Sequence, residues 1–181
     1  IDFYKEREKN MSERLYEITE ITDLKDMLNK TGEMYGDKIA YKIKIEEGKY
    51  KTISHKEVRN MINSLGTALI DIGLKEKRIA VIGENRYEWE IAYLSIVCGT
   101  GIVVPIDKAL PENELKSVIE RSEVEAIFYS NKYEKILNKI KNSNNNKLKY
   151  LISMDNEKNK ENKDDKENTE EIYSQNELIN K

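Results

Sequence analysis

Hydrophobic and polar positions along this chain follow two rhythms, and the switches between them mark out its elements. Residues 39–46 alternate in strand fashion, with Ala40 and Lys42 on one side and Ile39, Tyr41, Ile43 and Ile45 on the other. Glu47-Gly48 then makes a turn and residues 49–53 return, which predicts a β-hairpin. Before it, Leu24, Met27, Leu28 and Thr31 lie at helical spacing within residues 23–35, with Gly36 placed to end that helix. After it, Val58, Met61, Ile62, Leu65, Ala68, Leu69 and Ile72 fall on one helical face. Ser54 and Glu57 make a capping box at its start, each side chain satisfying a backbone N–H. Gly73 sits where a left-handed C-cap is needed, and Leu74 can pack back on the last turn. At about 1.5–3 kcal/mol per large apolar side chain buried, that face holds the helix more firmly than its caps do.

From residue 78 onward, short apolar runs alternate with helical patterns. Residues 78–83, 101–106, 126–129 and 148–153 read as four strands. Between them, residues 87–97 are apolar nearly all round, which suits a helix buried on most sides. Pro111 stands at the first position of the next helix, followed by Glu112 and Glu114 in a first turn that favours acids. Leu115, Val118 and Ile119 face inward there. Residues 131–141 carry Tyr133, Ile136, Leu137 and Ile140 at helical spacing. Strands separated by helices predict an α/β fold: a doubly wound parallel sheet with flanking helices, and the hairpin as an antiparallel addition beside it. The proline in GIVVPI favours the end of a strand or the edge of the sheet.

Residues 155–171 contain no aliphatic side chain and alternate Asn, Lys, Glu and Asp, the composition of a disordered insertion or loop. Ile172-Tyr173-Ser174 follows, and a second capping box at Ser174 and Glu177 opens another helix. The expected organisation is a polar lead-in over 1–21, a subdomain over 22–153, a charged insertion over 154–171 and a truncated helix start over 172–181. A sequence that stops just as a helix begins is expected to be part of something larger.

The 181 residues carry 31 basic and 34 acidic side chains, a net charge of −3, which argues against a general nucleic-acid or membrane-surface binder. The local exception is 131–149, with six lysines against one glutamate; lacking interleaved aromatics beyond Tyr133 and Tyr150, it reads as a solvated helix face. Cys98 is the only cysteine, so no intrachain disulfide forms; it lies in an apolar run and reads as a small buried hydrophobe. His55 is the only histidine, which leaves no multi-histidine metal site. The charged N-terminal stretch has no apolar core of a signal peptide, and no apolar run approaches the ~20 residues that span a bilayer. A cytoplasmic location is the expectation. Abundant Lys, Asn, Ile, Glu and Tyr fit an AT-rich bacterial coding sequence.

In open α/β sheets, ligands bind beyond the carboxyl ends of the strands. Here those ends are Gly83-Glu84-Asn85-Arg86, Asp107-Lys108, Ser130-Asn131 and Met154-Asp155. The first most resembles a site, yet a phosphate cradle needs several glycines and this turn has one. Asn85 and Arg86 therefore read first as loop-capping and surface-pairing residues, with ligand contact as the lesser alternative. Gly99-Thr100-Gly101 leads from helix to strand, the reverse of a dinucleotide fingerprint. Glu84, Glu88 and Glu90 show no clear partner, Asp107 and Lys108 are neighbours that point apart, and His55 reads as an exposed helix-start residue. No nucleophile–base constellation can be assembled, so no catalytic, cofactor-binding or metal-binding residue is assigned.

Three stretches, DLKDMLNKTGEMYGD, YKTISHKEVRNMINSLGTALIDIGL and RIAVIGENRYEWEIAYLSIVCGTGIVVPIDKALPENEL, together resemble the N-terminal part of the AMP-forming acyl-CoA ligases. GENRYEW followed by a small-residue helix and VVPID is similar to the long-chain fatty acid branch in particular. The likeness runs from about residue 21 to residue 153, and YSQNELI resembles the next family helix. The resemblance implies ATP-dependent conversion of a fatty acid to an acyl-adenylate and then to acyl-CoA, with ATP, Mg²⁺ and CoA as the complete enzyme's cofactors. It also implies a glycine-rich phosphate loop, an acidic ribose-binding motif and a mobile-domain lysine, none of which this sequence contains. No cofactor is expected for the chain alone. The expected partner is the remaining part of a ligase, with self-association through uncovered surface. The alternative is a non-catalytic binding or regulatory module of the same fold, and weaker still a small nucleotide-binding protein using the turn 83–86.

Overall fold

Residues 18–143, 146–155 and 172–180 are described by the computed structural model of this protein. The expected lead-in before residue 18 and the charged insertion after Asp155 lie outside the described residues. The first helix, α1 (Leu24–Met34), starts where the Asp23 carboxylate accepts the Asp26 amide at 2.7 Å. It leads into β1 (Ile39–Glu46) and β2 (Lys49–Ser54), antiparallel strands joined at Gly48, whose φ of 74° a side chain would disfavour.

Two register shifts interrupt the alternation that the hairpin's sequence predicts, one between Ile39 and Tyr41 and one between Lys44 and Glu46. Ile39 and Ile45 are consequently 59% and 62% exposed, while Tyr41 and Ile43 pack on the core and Ile53 is buried. Each bulge adds a residue to one strand and turns the following side chain to the other face. The hairpin also forms a two-stranded sheet of its own, packed against the next helix, and does not extend the main sheet. Packing on a helix supplies the support that an isolated two-stranded ribbon lacks.

That next helix, α2 (His55–Asp71), follows the predicted capping box: Ser54 Oγ accepts the Glu57 amide at 3.3 Å, and Glu57 accepts the Ser54 amide at 2.7 Å. Val58, Ile62, Leu65, Ala68 and Leu69 are buried. Gly73 adopts φ 87°, and the Leu74 amide reaches back to the Leu69 carbonyl at 3.0 Å, leaving Leu74 fully buried. This is the C-terminal arrangement the sequence called for.

The main sheet is built from β3 (Arg78–Ile82), β4 (Ile102–Pro105), β5 (Ala126–Tyr129), β6 (Tyr150–Ser153) and β7 (Ile172–Ser174). Its spatial order is β4-β3-β5-β6-β7 and every neighbouring pair is parallel. Five strands stand where the apolar runs indicated four, because β7 is only three residues long and carries no periodicity to read. Pro105 ends β4, and β4 is an edge strand, as the proline required.

Helices cover both faces, so the sheet is doubly wound. One apolar cluster joins Ile79, Val81, Ala126, Phe128 and Ile152 to α1, α2, α3 (Tyr87–Ser95) and α6 (Gln175–Ile179). The other joins Ala80, Ile82, Ile127, Tyr129 and Leu151 to α4 (Glu112–Ser122) and α5 (Glu134–Lys141). Three helix boundaries differ from their expected places. Past Ser95 the expected long helix widens into a π-helical turn, Ile96–Thr100, in which Gly99 takes φ 136°. Pro111, with ψ 159°, is the residue before α4 and not its first helical one. The expected helix over 131–141 opens as a 3-10 turn, Asn131–Tyr133. In each case the chain must turn towards or away from a strand, and tertiary packing sets where that happens.

Candidate functional site

The direction of winding reverses at β3: the chain moves out to β4, then returns to place β5 on the other side of β3. A reversal of this kind opens a crevice beyond the carboxyl ends of the strands. The turns bordering it are residues 83–86 after β3, Ser130 and Asn131 after β5, and Met154 and Asp155 after β6. The structure brings all three together.

Arg86 is the centre of the cluster. Its Nε donates to Glu88 Oε2 at 2.7 Å, its Nη1 pairs with Asp155, and its Nη2 donates to the Met154 carbonyl at 3.3 Å. Glu88 first, then Asp155, hold the guanidinium above its ordinary pKa. The second oxygen of Asp155 accepts the Asn131 amide at 2.7 Å. Ser153 Oγ donates to Asn131 Oδ1 at 2.8 Å and accepts the Asp155 amide at 3.1 Å. Three successive strand ends are thus tied by one arginine and one aspartate.

Glu84 lies across the same crevice and pairs with Lys132, whose ammonium also sits 4.8 Å from the Tyr133 ring centre. Lys132, and after it the nearby Ser130 hydroxyl, hold the Glu84 carboxyl down at about 2. Ser130 Oγ is buried and lacks a full hydrogen bond to any described residue. Gly83 is buried beneath these groups, and a Cβ there would stand 2.5 Å from both Ser130 Oγ and Met154 Cε. The space above the one glycine of this turn is therefore filled by the protein itself.

The three glutamates without an evident partner in the sequence all find one. Glu84 takes Lys132 and Glu88 takes Arg86. Glu90 accepts from the Tyr41 hydroxyl, which burial, and then this glutamate, push up in pKa. Tyr87 is raised to about 12, by burial ahead of the Glu88 charge. Asn85 is exposed. Asp107 accepts the Ala109 amide at 2.9 Å, and the Lys108 carbonyl accepts from Tyr133 Oη at 2.8 Å, so this pair shapes a turn. His55 begins α2 half-buried, its ring tilted at 51° to Tyr35. Cys98 is half-buried in the π-helical turn, and burial pushes its thiol up, away from the thiolate that reactivity needs.

Sequence reasoning missed Lys132, Asp155 as the partner of Arg86, and Gln175, whose buried amide donates to the Glu88 carbonyl at 3.1 Å and ties α6 to α3. Only the Arg86–Glu88 pair left a local signal, two opposite charges astride a helix start. Chemically, the arrangement neutralises and joins the strand ends. It does not fit a triphosphate: the turn has one glycine, and its arginine is already engaged by two carboxylates. Among the described residues no group of three or more His, Cys, Asp or Glu is placed to hold a metal ion, and no helix is long and apolar enough to cross a membrane.

Comparison with known proteins sets this geometry in context. The model of the AMP-binding enzyme family matches residues 28–179. Fatty acyl-CoA synthetase A of Dictyostelium discoideum is 32% identical over 94 residues, covering 51% of this chain and 14% of that protein. An uncharacterised acyl–CoA ligase of Bacillus subtilis, YtcI, is 32% identical over 97 residues, covering 52% and 18%. Human long-chain-fatty-acid–CoA ligase 1 is 25% identical over 111 residues, covering 59% and 16%. Among solved structures, coronafacic acid ligase from Pectobacterium brasiliense superposes with a TM-score of 0.72 at 20% identity, over 88% of this chain and 30% of that one. The chain thus spans less than a fifth of the length of these sequence relatives.

Proposed function

The chain belongs to the AMP-binding enzyme family, and from that premise we propose that it supplies the N-terminal scaffold of an AMP-forming acyl-CoA ligase acting on long-chain fatty acids. The whole enzyme would join a fatty acid to AMP at the expense of ATP, release pyrophosphate, and transfer the acyl group to CoA, in the cytoplasm. Two of the relatives named above carry fatty acyl or long-chain fatty acid in their names, which supports that substrate class. In this reading ATP, Mg²⁺ and CoA are held by parts of the enzyme that this chain does not provide.

The observation that carries the proposal is the crevice at the β3 reversal, where Arg86, Glu84, Lys132 and Asp155 satisfy one another. A crevice closed by its own ion pairs makes a rigid floor and leaves no donors aimed at phosphate. The chain by itself is accordingly inactive. Purified chain, free of host ligase, is expected to show no fatty acid-dependent exchange between ATP and pyrophosphate; robust exchange overturns the scaffold reading. Ile18, Ile21, Met34, Ile39, Ile45 and Ile102 are each more than half exposed, which supports the expectation that the isolated chain self-associates.

A further inference from the structure

We infer that the outer edge of β4 takes up a further parallel strand, supplied by the part of a ligase chain that follows its α6. This rests on the scaffold reading above and names the surface and the partner segment.

The first support is the handedness of the winding. From β3 the chain crosses the face carrying α3 and moves one way, to β4. Through α4 and α5 it crosses the opposite face and moves the other way, to β5 and then β6. Right-handed crossovers require this coupling of face and direction. α6 lies on the α3 face, its Leu178 buried in that cluster and its side packed along α2. A parallel strand reached through α6 therefore lies in the β3-to-β4 direction. Every position from β7 to β4 is filled, so the first vacant one is beyond β4.

The second support is the state of that edge. Ile102 and Ile106 donate to the Lys77 and Val81 carbonyls of the β3 side at 2.8 and 2.9 Å. Alternation along a parallel strand then turns the Val103 N–H and C=O outward, together with the Pro105 C=O. Pro105 has no N–H, so Val103 holds the one outward donor within β4. Among the described residues β4 pairs with β3 alone. Ile102 is 57% exposed beside this edge, although it belongs to the main sheet. The opposite edge is less inviting, because β7 is three residues long and its Ser174 amide is taken by Glu177 at 3.0 Å.

The test uses the full chain, isotope-labelled, with amide exchange read residue by residue. The probe is the separately expressed remainder of the Bacillus subtilis ligase YtcI, beginning after its counterpart of α6. On mixing, the Val103 amide is expected to slow by about tenfold or more as it enters a ladder, while Ala80 in the sheet centre stays unchanged. Val103→Pro deletes the outward donor without removing a bond to β3 and is expected to weaken association by about tenfold. Should that variant lose its cooperative melt, Ile102→Lys at an exposed position serves instead, with a similar expected loss of about tenfold from the missing apolar contact. Association that leaves the Val103 amide unaltered and tolerates these variants overturns the edge assignment while the scaffold reading stands. Slowing of Val103 with the chain's own concentration, without the probe, assigns the edge to a second copy and overturns the inference. No association at all removes the scaffold reading together with it.

Discussion

Arg86, at the head of α3, forms an ion pair with Asp155, which follows β6, although the two are 69 positions apart in the chain. The same guanidinium holds Glu88, which is only 9% exposed. One side chain thereby fixes how the turn after β3 meets the end of β6, and leaves Glu88 neutralised at the contact between α3 and α6.

Arg86→Ala is expected to lower unfolding free energy by about 1–2 kcal/mol, less than for a fully buried pair because 28% of the arginine side chain is open to water. Arg86→Lys is expected to recover only part of that, since a single ammonium cannot serve Glu88, Asp155 and the Met154 carbonyl together. Urea titrations of the three proteins measure the order.

The Glu84–Lys132 pair gives the fold a defined acid dependence. A carboxyl held at about 2 in the folded protein, against 4.5 when free, favours folding fully above pH 4.5. That contribution drains away as pH falls from 4.5 towards about 2. Carbon-detected titration of the Glu84 side chain should show a midpoint near this low value, and Lys132→Ala should return it towards the ordinary carboxylate range. A wild-type midpoint already at the free value would contradict the pairing.

Gly101 lets the chain enter β4 against the end of the preceding connection. A Cβ there would press on the Lys77 carbonyl oxygen, which cannot withdraw because it accepts the Ile102 amide at 2.8 Å. Gly101→Ala is expected to cost about 1–3 kcal/mol by overpacking, read from the shift in urea midpoint at constant slope.

Ser54 caps the helix that carries Leu65 and Leu69, both fully buried. Ser54→Ala is expected to cost about 1 kcal/mol, and Ser54→Gly only a few tenths, because glycine lets water reach the freed Glu57 amide. Equal losses in the two variants would place the effect in packing and not in the cap.

Both capping boxes, the left-handed Gly73, the strand role of residues 78–82 and 126–129, and the edge position of the proline strand were legible in the chain. Each depends on neighbours within a few residues, where backbone sterics and local hydrogen bonds act without help from the rest of the molecule. The doubly wound sheet followed from the same source, because alternating strands and helices leave few ways to cross over. The family likeness was readable too, in the wording around residues 78–115.

Other features were decided only by the folded molecule. The hairpin's two bulges and its separation from the main sheet arise where Tyr41, Ile43 and Ile53 must meet α2. β7 exists because Ile172, Tyr173 and Ser174 find β6 to pair with, not through any preference in three residues. The candidate site belongs to the same class: Arg86 with Asp155, Glu84 with Lys132 and Gln175 with Glu88 join positions far apart in sequence. Charges that distant carry no local pattern. Only the closing of the sheet brings them within reach, and with them decides that this crevice is a filled joint between strands.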